Sequence, residues 1–209
     1  GIDIMPQSNC LLSANYSYEK CVKEILQDNA LSKKMPHEEF WYGRNHLQIA
    51  GLMAIRARGF DSWTKVFEEF KQRTGLFKHS NFDHPSVKNP MLAGGMSWSF
   101  NDYFEFLSAL FHRKILSEKL HKELFSDHTN NVSMPNAGSP PKLFLNQDWH
   151  YGYGLWLECT DKKFNCQKNI TYSAPGLFGS YPFINFETGY YGLLAQDDSG
   201  ENFKICLLY

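Results

Sequence analysis

The chain has 209 residues, 43% apolar and 21% charged, with a formal net charge of −1, which is the composition of a folded globular protein with room for one large core or two small ones. Acidic and basic residues interleave without any basic tract, so the electrostatic footprint of a phosphate-backbone binder is missing and nucleic acid is not an expected partner. No stretch approaches the roughly 20 apolar residues of a membrane span, and the opening Gly1 to Ile4 lacks the basic and apolar regions of a signal peptide, so a start at a processing point is the expectation.

In chain order, Tyr18, Cys21, Val22, Ile25 and Leu26 make the stripe of a short amphipathic helix over 17–28. A second helix is predicted from about Phe40 to Ala57, with Leu47, Gly51, Ala54 and Ile55 forming a small-residue face suited to close packing. Asp61 or Ser62 then caps a third helix, striped by Trp63, Val66, Phe67 and Phe70 and stopped at Gly75. After a polar loop over 78–90, Ser99 to Asp102 reads as a capping-box variant ahead of a helix bearing Tyr103, Phe104, Leu107 and Leu110. Ser117 caps one more, ending near Phe125, and 127–150 reads as an irregular surface crossing. Strands follow over Gly152–Glu158, Ile170–Ser173, Tyr181–Phe186 and Tyr190–Gln196, the last two joined by the turn Glu187-Thr188-Gly189. Helices first and a meander last predict an α+β layout. The regions are 1–150, mainly helical, and 151–209, an antiparallel meander completing the sheet of one structural domain.

The five cysteines fall as Cys10 and Cys21, Cys159 and Cys166, then Cys206. Bridging each local pair suits an oxidising compartment, though spacing alone leaves the connectivity open. Asn-x-Ser/Thr sequons at Asn15, Asn131 and Asn169 point the same way, to a secreted or lumenal glycoprotein. The eight histidines form no metal-ligand spacing, and there is no nucleophile elbow, phosphate-cradling loop or dinucleotide fingerprint, so neither a metal nor a cofactor is expected.

Four segments nevertheless carry a resemblance. Phe40-Trp41-Tyr42-Gly43-Arg44-Asn45, followed by Phe60-Asp61-Ser62-Trp63, resembles the tyrosine motif and next helix of the class C β-lactamase and esterase group of penicillin-recognising serine hydrolases. Asn89 to Tyr103 is similar to that family's Ala-Gly-Gly turn before a capped helix, here Ala93-Gly94-Gly95. Tyr151 to Trp156 resembles a sheet strand of the family, and Ala174 to Gly189 aligns on its third motif and hairpin. The matches span nearly the whole chain, and they imply a β-lactamase/transpeptidase-like fold, a helical subdomain plus an antiparallel sheet flanked by helices.

The resemblance makes Tyr42 the general base, a phenol that needs cationic neighbours because an unperturbed tyrosine has a pKa near about 10. Arg44 stands where the family has asparagine, and Ala174 where it has the His or Lys of its cationic site. Ser173 and Gly176 would line the substrate. The family's nucleophile is a serine with a lysine three residues on. Ser17-Tyr18-Glu19-Lys20 stands too close to Tyr42, and Ser139-Pro140-Pro141-Lys142 has prolines where a helix face is needed, so both read as chance matches. The expectation is a chain of a processed, secreted serine hydrolase that acts on an ester or amide, in a small molecule or peptide, through an acyl-serine. The serine would come from an N-terminal fragment of the same precursor, cleaved before Gly1 and held non-covalently or through Cys206. The alternative is a catalytically inactive binding or structural protein. A third reading is carbohydrate binding on exposed aromatics such as Trp149, Tyr151 and Tyr153.

Overall fold

A computed structural model describes residues 9–29, 37–161, 163–166, 168–176 and 178–196, so Cys206 lies outside the described residues. The chain divides into two compact units, Gly1–Asp102 and Tyr103–Tyr209, the division falling inside one helix. Helices dominate the first unit and an antiparallel sheet the second, which is the α+β layout that the periodicity predicts.

The first unit contains α1 (Tyr18–Asn29), α2 (Asn45–Ala57), α3 (Trp63–Thr74), the two-residue strands β1 (Asn81–Phe82) and β2 (Met96–Ser97), and the start of α4 (Phe100–Phe111). Its boundaries follow the capping residues. Ser62 is extended before α3, and Gly75, at φ 73°, takes the left-handed stop position and donates its N–H to the Lys71 carbonyl at 2.8 Å. The Asp102 N–H donates to Ser99 Oγ at 3.2 Å, as a capping serine requires. Helix α2 starts at Asn45 rather than near Phe40, with Gly43, a weak helix former, just ahead of the boundary residue Arg44. The small-residue face is used as expected. A Cβ built on Gly51 would lie 2.1 Å from the Tyr18 hydroxyl and 2.4 Å from Leu92, so α1 packs on α2 through this glycine.

Two buried amides tie this unit together. Gln48 donates from Nε2 to the Pro90 carbonyl at 2.9 Å and accepts at Oε1 from the Leu92 N–H at 3.2 Å. Asn89 Nδ2 donates to the carbonyls of Cys10 (2.8 Å) and Ser13 (3.1 Å). One disulfide joins Cys10 to Cys21, both at 0% exposure inside the core. The expected polar loop over 78–90 instead supplies β1, whose Phe82 packs edge-on against Trp63 and Phe67 of α3.

The second unit holds the rest of α4, α5 (Glu118–Leu124), α6 (Pro140–Leu145) and a five-stranded antiparallel sheet. Its strands, in spatial order, are β3 (His150–Tyr151), β4 (Trp156–Glu158), β5 (Thr171–Ser173), β6 (Tyr181–Asn185) and β7 (Tyr190–Leu194). Register places Tyr172, Ile184 and Tyr191 side by side, and this face packs with Leu107, Leu110 and Phe125 in one core cluster. The other face carries Trp156, Ser173, Phe183 and Gly192, where the Phe183 ring would meet a Cβ on Gly192 at 2.7 Å.

Two segments depart from the sequence reading. The expected strand from Gly152 is a tight turn in its first half, with the Gly152 N–H donating to the Leu155 carbonyl at 2.8 Å and Gly154 at φ 77°. The crossing over 127–150 contains α6, because Pro140 and Pro141 occupy first-turn positions whose N–H groups have no helical partner anyway. The aromatic surface expected of a carbohydrate binder is not formed as proposed, since Trp149 and Tyr151 are buried and only Tyr153 of the three is exposed, at 61%. No described helix is long and apolar enough to cross a membrane.

Candidate active site

Tyr42, Arg44 and Asn45 cluster at the start of α2. Burial raises the Tyr42 phenol above its ordinary pKa of 10.0, and the Arg44 guanidinium pulls it the other way without cancelling the rise. Arg44 Nη1 also donates to Met91 Sδ at 3.5 Å, which ties the cation to the loop that ends in Ala93-Gly94-Gly95. Gly95 fits its place because a Cβ there would lie 2.1 Å from the His84 carbonyl oxygen. His46, next along, has its pKa lowered by burial and so stays neutral near pH 7. Asn45 is the residue that sequence reasoning passed over. Only 3% exposed, it has a buried Oδ1 with no hydrogen-bond partner among the described residues. Its place beside Tyr42 and Arg44 was the one available signal.

Ser173 and Gly176 lie in the second unit. Ser173 ends β5 and is 0% exposed, against Glu158 and Tyr181, which are themselves linked by a hydrogen bond from the Tyr181 hydroxyl to Glu158 Oε1 at 2.6 Å. Burial raises the Glu158 pKa, and its Ser173 and Tyr181 neighbours oppose that only in part. Gly176 sits in the hairpin from β5 to β6. Its N–H donates to the Ser180 carbonyl at 2.7 Å, and a Cβ would meet Ser180 Oγ at 2.5 Å. Local hairpin closure thus accounts for this glycine.

Neither Ser-x-x-Lys string forms a free nucleophile pair. Ser17 Oγ accepts from the Lys20 N–H at 3.3 Å and so caps α1. Ser139 is fully buried before α6, and a short helix forms where the prolines make one hard to expect, because both stand in its first turn. Its lysine is nevertheless committed, because Lys142 Nζ pairs with Asp148 Oδ1 at 2.8 Å and donates to the Met134 carbonyl at 3.0 Å. The second disulfide joins Cys159 to Cys166, and both pairings are the local ones. Asp161 lies within 4.8 Å of those two sulfurs, but thiols spent in a disulfide are not thiolate ligands. The sequon residues Asn15, Asn131 and Asn169 are all exposed.

The helical motif region, capped α4 and closing meander define a β-lactamase and penicillin-binding-protein-like fold, and solved structures bear this out. A crystal structure of a provisionally assigned β-lactamase from Bacteroides dorei DSM 17855 superimposes with a TM-score of 0.74 at 30% identity, over 96% of this chain and 62% of that one. A penicillin-binding protein from Bacillus halodurans gives a TM-score of 0.59 at 15% identity over 96% of this chain and 73% of that one. The chain therefore spans less than two thirds of the length of the Bacteroides protein. No protein-family model and no curated protein matches the chain.

Proposed function

We propose that this chain is part of a secreted, disulfide-bonded and glycosylated serine hydrolase of the β-lactamase-like group, acting on an ester or amide through an acyl-serine. Tyr42 is the general base, Arg44 the cation that favours its ionised form, and the segment from Ser173 at the end of β5 to Gly176 in the following hairpin the wall that aligns substrate. The nucleophile comes from a Ser-x-x-Lys segment outside these 209 residues, supplied by an N-terminal fragment of the same precursor. The observation that carries the reading is Tyr42 half-buried beside Arg44 at the head of α2, in a fold shared with a provisionally assigned β-lactamase. Two features support the rest. Among the described residues β7 pairs on one side only, with β6, which is compatible with a further strand added beside it. The two disulfides suit an extracellular or lumenal compartment.

The test uses protein purified from its natural source with whatever chains accompany it. A fluorophosphonate probe should label a companion segment bearing Ser-x-x-Lys, and Tyr42→Phe should cut ester turnover by about a hundredfold or more while labelling persists. Absence of both label and turnover would transfer the case to an inactive binding protein of the same fold. That second reading is favoured by Ala174 in the cationic position and by the complete burial of Ser173.

A further inference from the structure

We infer that a cavity in the second unit, where α5 meets β5 and the end of β6, binds a small aromatic carboxylate. It holds about 350 Å³, and Phe125, Tyr172 and Phe186 form its floor. These rings meet edge to face, Phe125 against Phe186 at 4.9 Å and 88° and against Tyr172 at 5.0 Å and 77°. An aromatic lining of this kind favours an aromatic ligand, because aromatic pairs gain energy beyond their buried area. His121 closes one wall and is held by a 3.0 Å hydrogen bond between Nε2 and the Leu110 carbonyl.

The rim supplies the charge. Arg113 and Lys122 both line the cavity, and neither forms an ion pair among the described residues. Glu118, one turn before Lys122 on α5, is the one acid in the lining, which leaves the mouth net positive. Asp127 and Glu187 both raise the Tyr172 pKa, after the larger effect of burial, so negative charge gathers near that hydroxyl. A bound carboxylate therefore belongs at the Arg113 and Lys122 side, with its ring over Phe125 and Phe186.

Arg113 also occupies a costly position. It is at φ 55° just after α4, its N–H donating to the Leu110 carbonyl (3.0 Å) and the Lys114 N–H to the Ala109 carbonyl (2.8 Å). That is the helix-stop motif in which glycine is the favoured residue. An arginine there is conformationally expensive, and its side chain, exposed and unpaired by any described acid, contributes no visible compensation to the fold. Its presence is accounted for if the guanidinium serves a ligand.

This separates binding from folding in a single experiment. Titration of the protein with 2-naphthoate, followed by ligand-observed NMR, should give saturable binding in the millimolar range or tighter. The neutral 2-naphthamide should bind at least about tenfold more weakly, the loss expected on removing a charge-assisted hydrogen bond. Arg113→Gly should weaken naphthoate by about tenfold while leaving the melting temperature unchanged or higher, and Lys122→Gln should weaken it in the same direction. Tyr42→Phe should leave it untouched, so this site stands or falls apart from the hydrolase proposal. Equal binding of naphthoate and naphthamide, undiminished binding by both rim variants, or no saturable binding would each overturn the assignment.

Discussion

In the first unit, helices and the 83–95 loop are joined through the side-chain amides of Gln48 and Asn89, each making bonds to backbone carbonyls or N–H groups. In the second, α4 and α5 meet the sheet through ring edges, with Phe125 and Phe186 at the centre. The two devices differ in tolerance. An amide network is directional, and removing one member leaves several buried partners unpaired. An aromatic layer loses area and can partly repack.

That difference orders the expected effects. Gln48→Leu, similar in size but without hydrogen-bonding capacity, should cost about 3 kcal/mol by urea denaturation, since the Leu92 N–H and Pro90 carbonyl both lose a buried partner. Gly51→Ala should cost about 2 kcal/mol, because its methyl must displace Tyr18 and Leu92. Phe186→Leu, which thins the aromatic layer without unpairing anything, should cost about 1.5 kcal/mol. If Phe186→Leu proved more damaging than Gln48→Leu, the contrast drawn between the units would be wrong. Smallest is Ser117→Ala, about 1 kcal/mol from the lost cap on the Leu120 N–H.

Acid sharpens the contrast from another direction. Burial alone would raise the Asp102 pKa, but the Ser80 hydroxyl and the His79 N–H, donating at 2.6 and 2.8 Å, outweigh it and hold the carboxyl below its ordinary 3.8. A depressed carboxyl contributes stability above its unfolded pKa and loses it as pH falls through the folded one. Stability of the wild type should therefore fall below about pH 4, and Asp102→Asn should flatten that part of the urea midpoint against pH. An unchanged acid limb in the variant would remove Asp102 from the account.

How much was legible in the sequence depended on whether a residue's local role matched its structural one. Gly75, Ser99 and Ser117 act on backbone groups within three or four residues, so their positions marked the helix ends directly, whereas Ser62 sits extended at the start of α3 without a side-chain cap bond. Gln48 acts across 42 and 44 residues and Asn89 across 79 and 76, and nothing local distinguishes a buried amide from a solvated one. Pro140 and Pro141 misled because proline breaks a helix interior yet starts one well. Trp149 and Tyr151 look like a surface pair beside Tyr153, but both pack with Trp156, at 6.4 and 4.7 Å between ring centres. At the candidate site, Tyr42 and Arg44 were legible through motif resemblance. Asn45 was not, since its buried, unpartnered oxygen is a property of the fold.

The glycine doublet ahead of α4 carries two unlike constraints under one spelling. Gly94 is exposed, and a side chain there would touch only the Met91 methyl at 3.5 Å, an ordinary contact. Gly95 is buried and would drive its Cβ into two backbone carbonyls. A saturation library across the pair should accordingly recover many amino acids at the first position and essentially one at the second, so that a motif written Gly-Gly behaves under selection as a single invariant letter preceded by a free one.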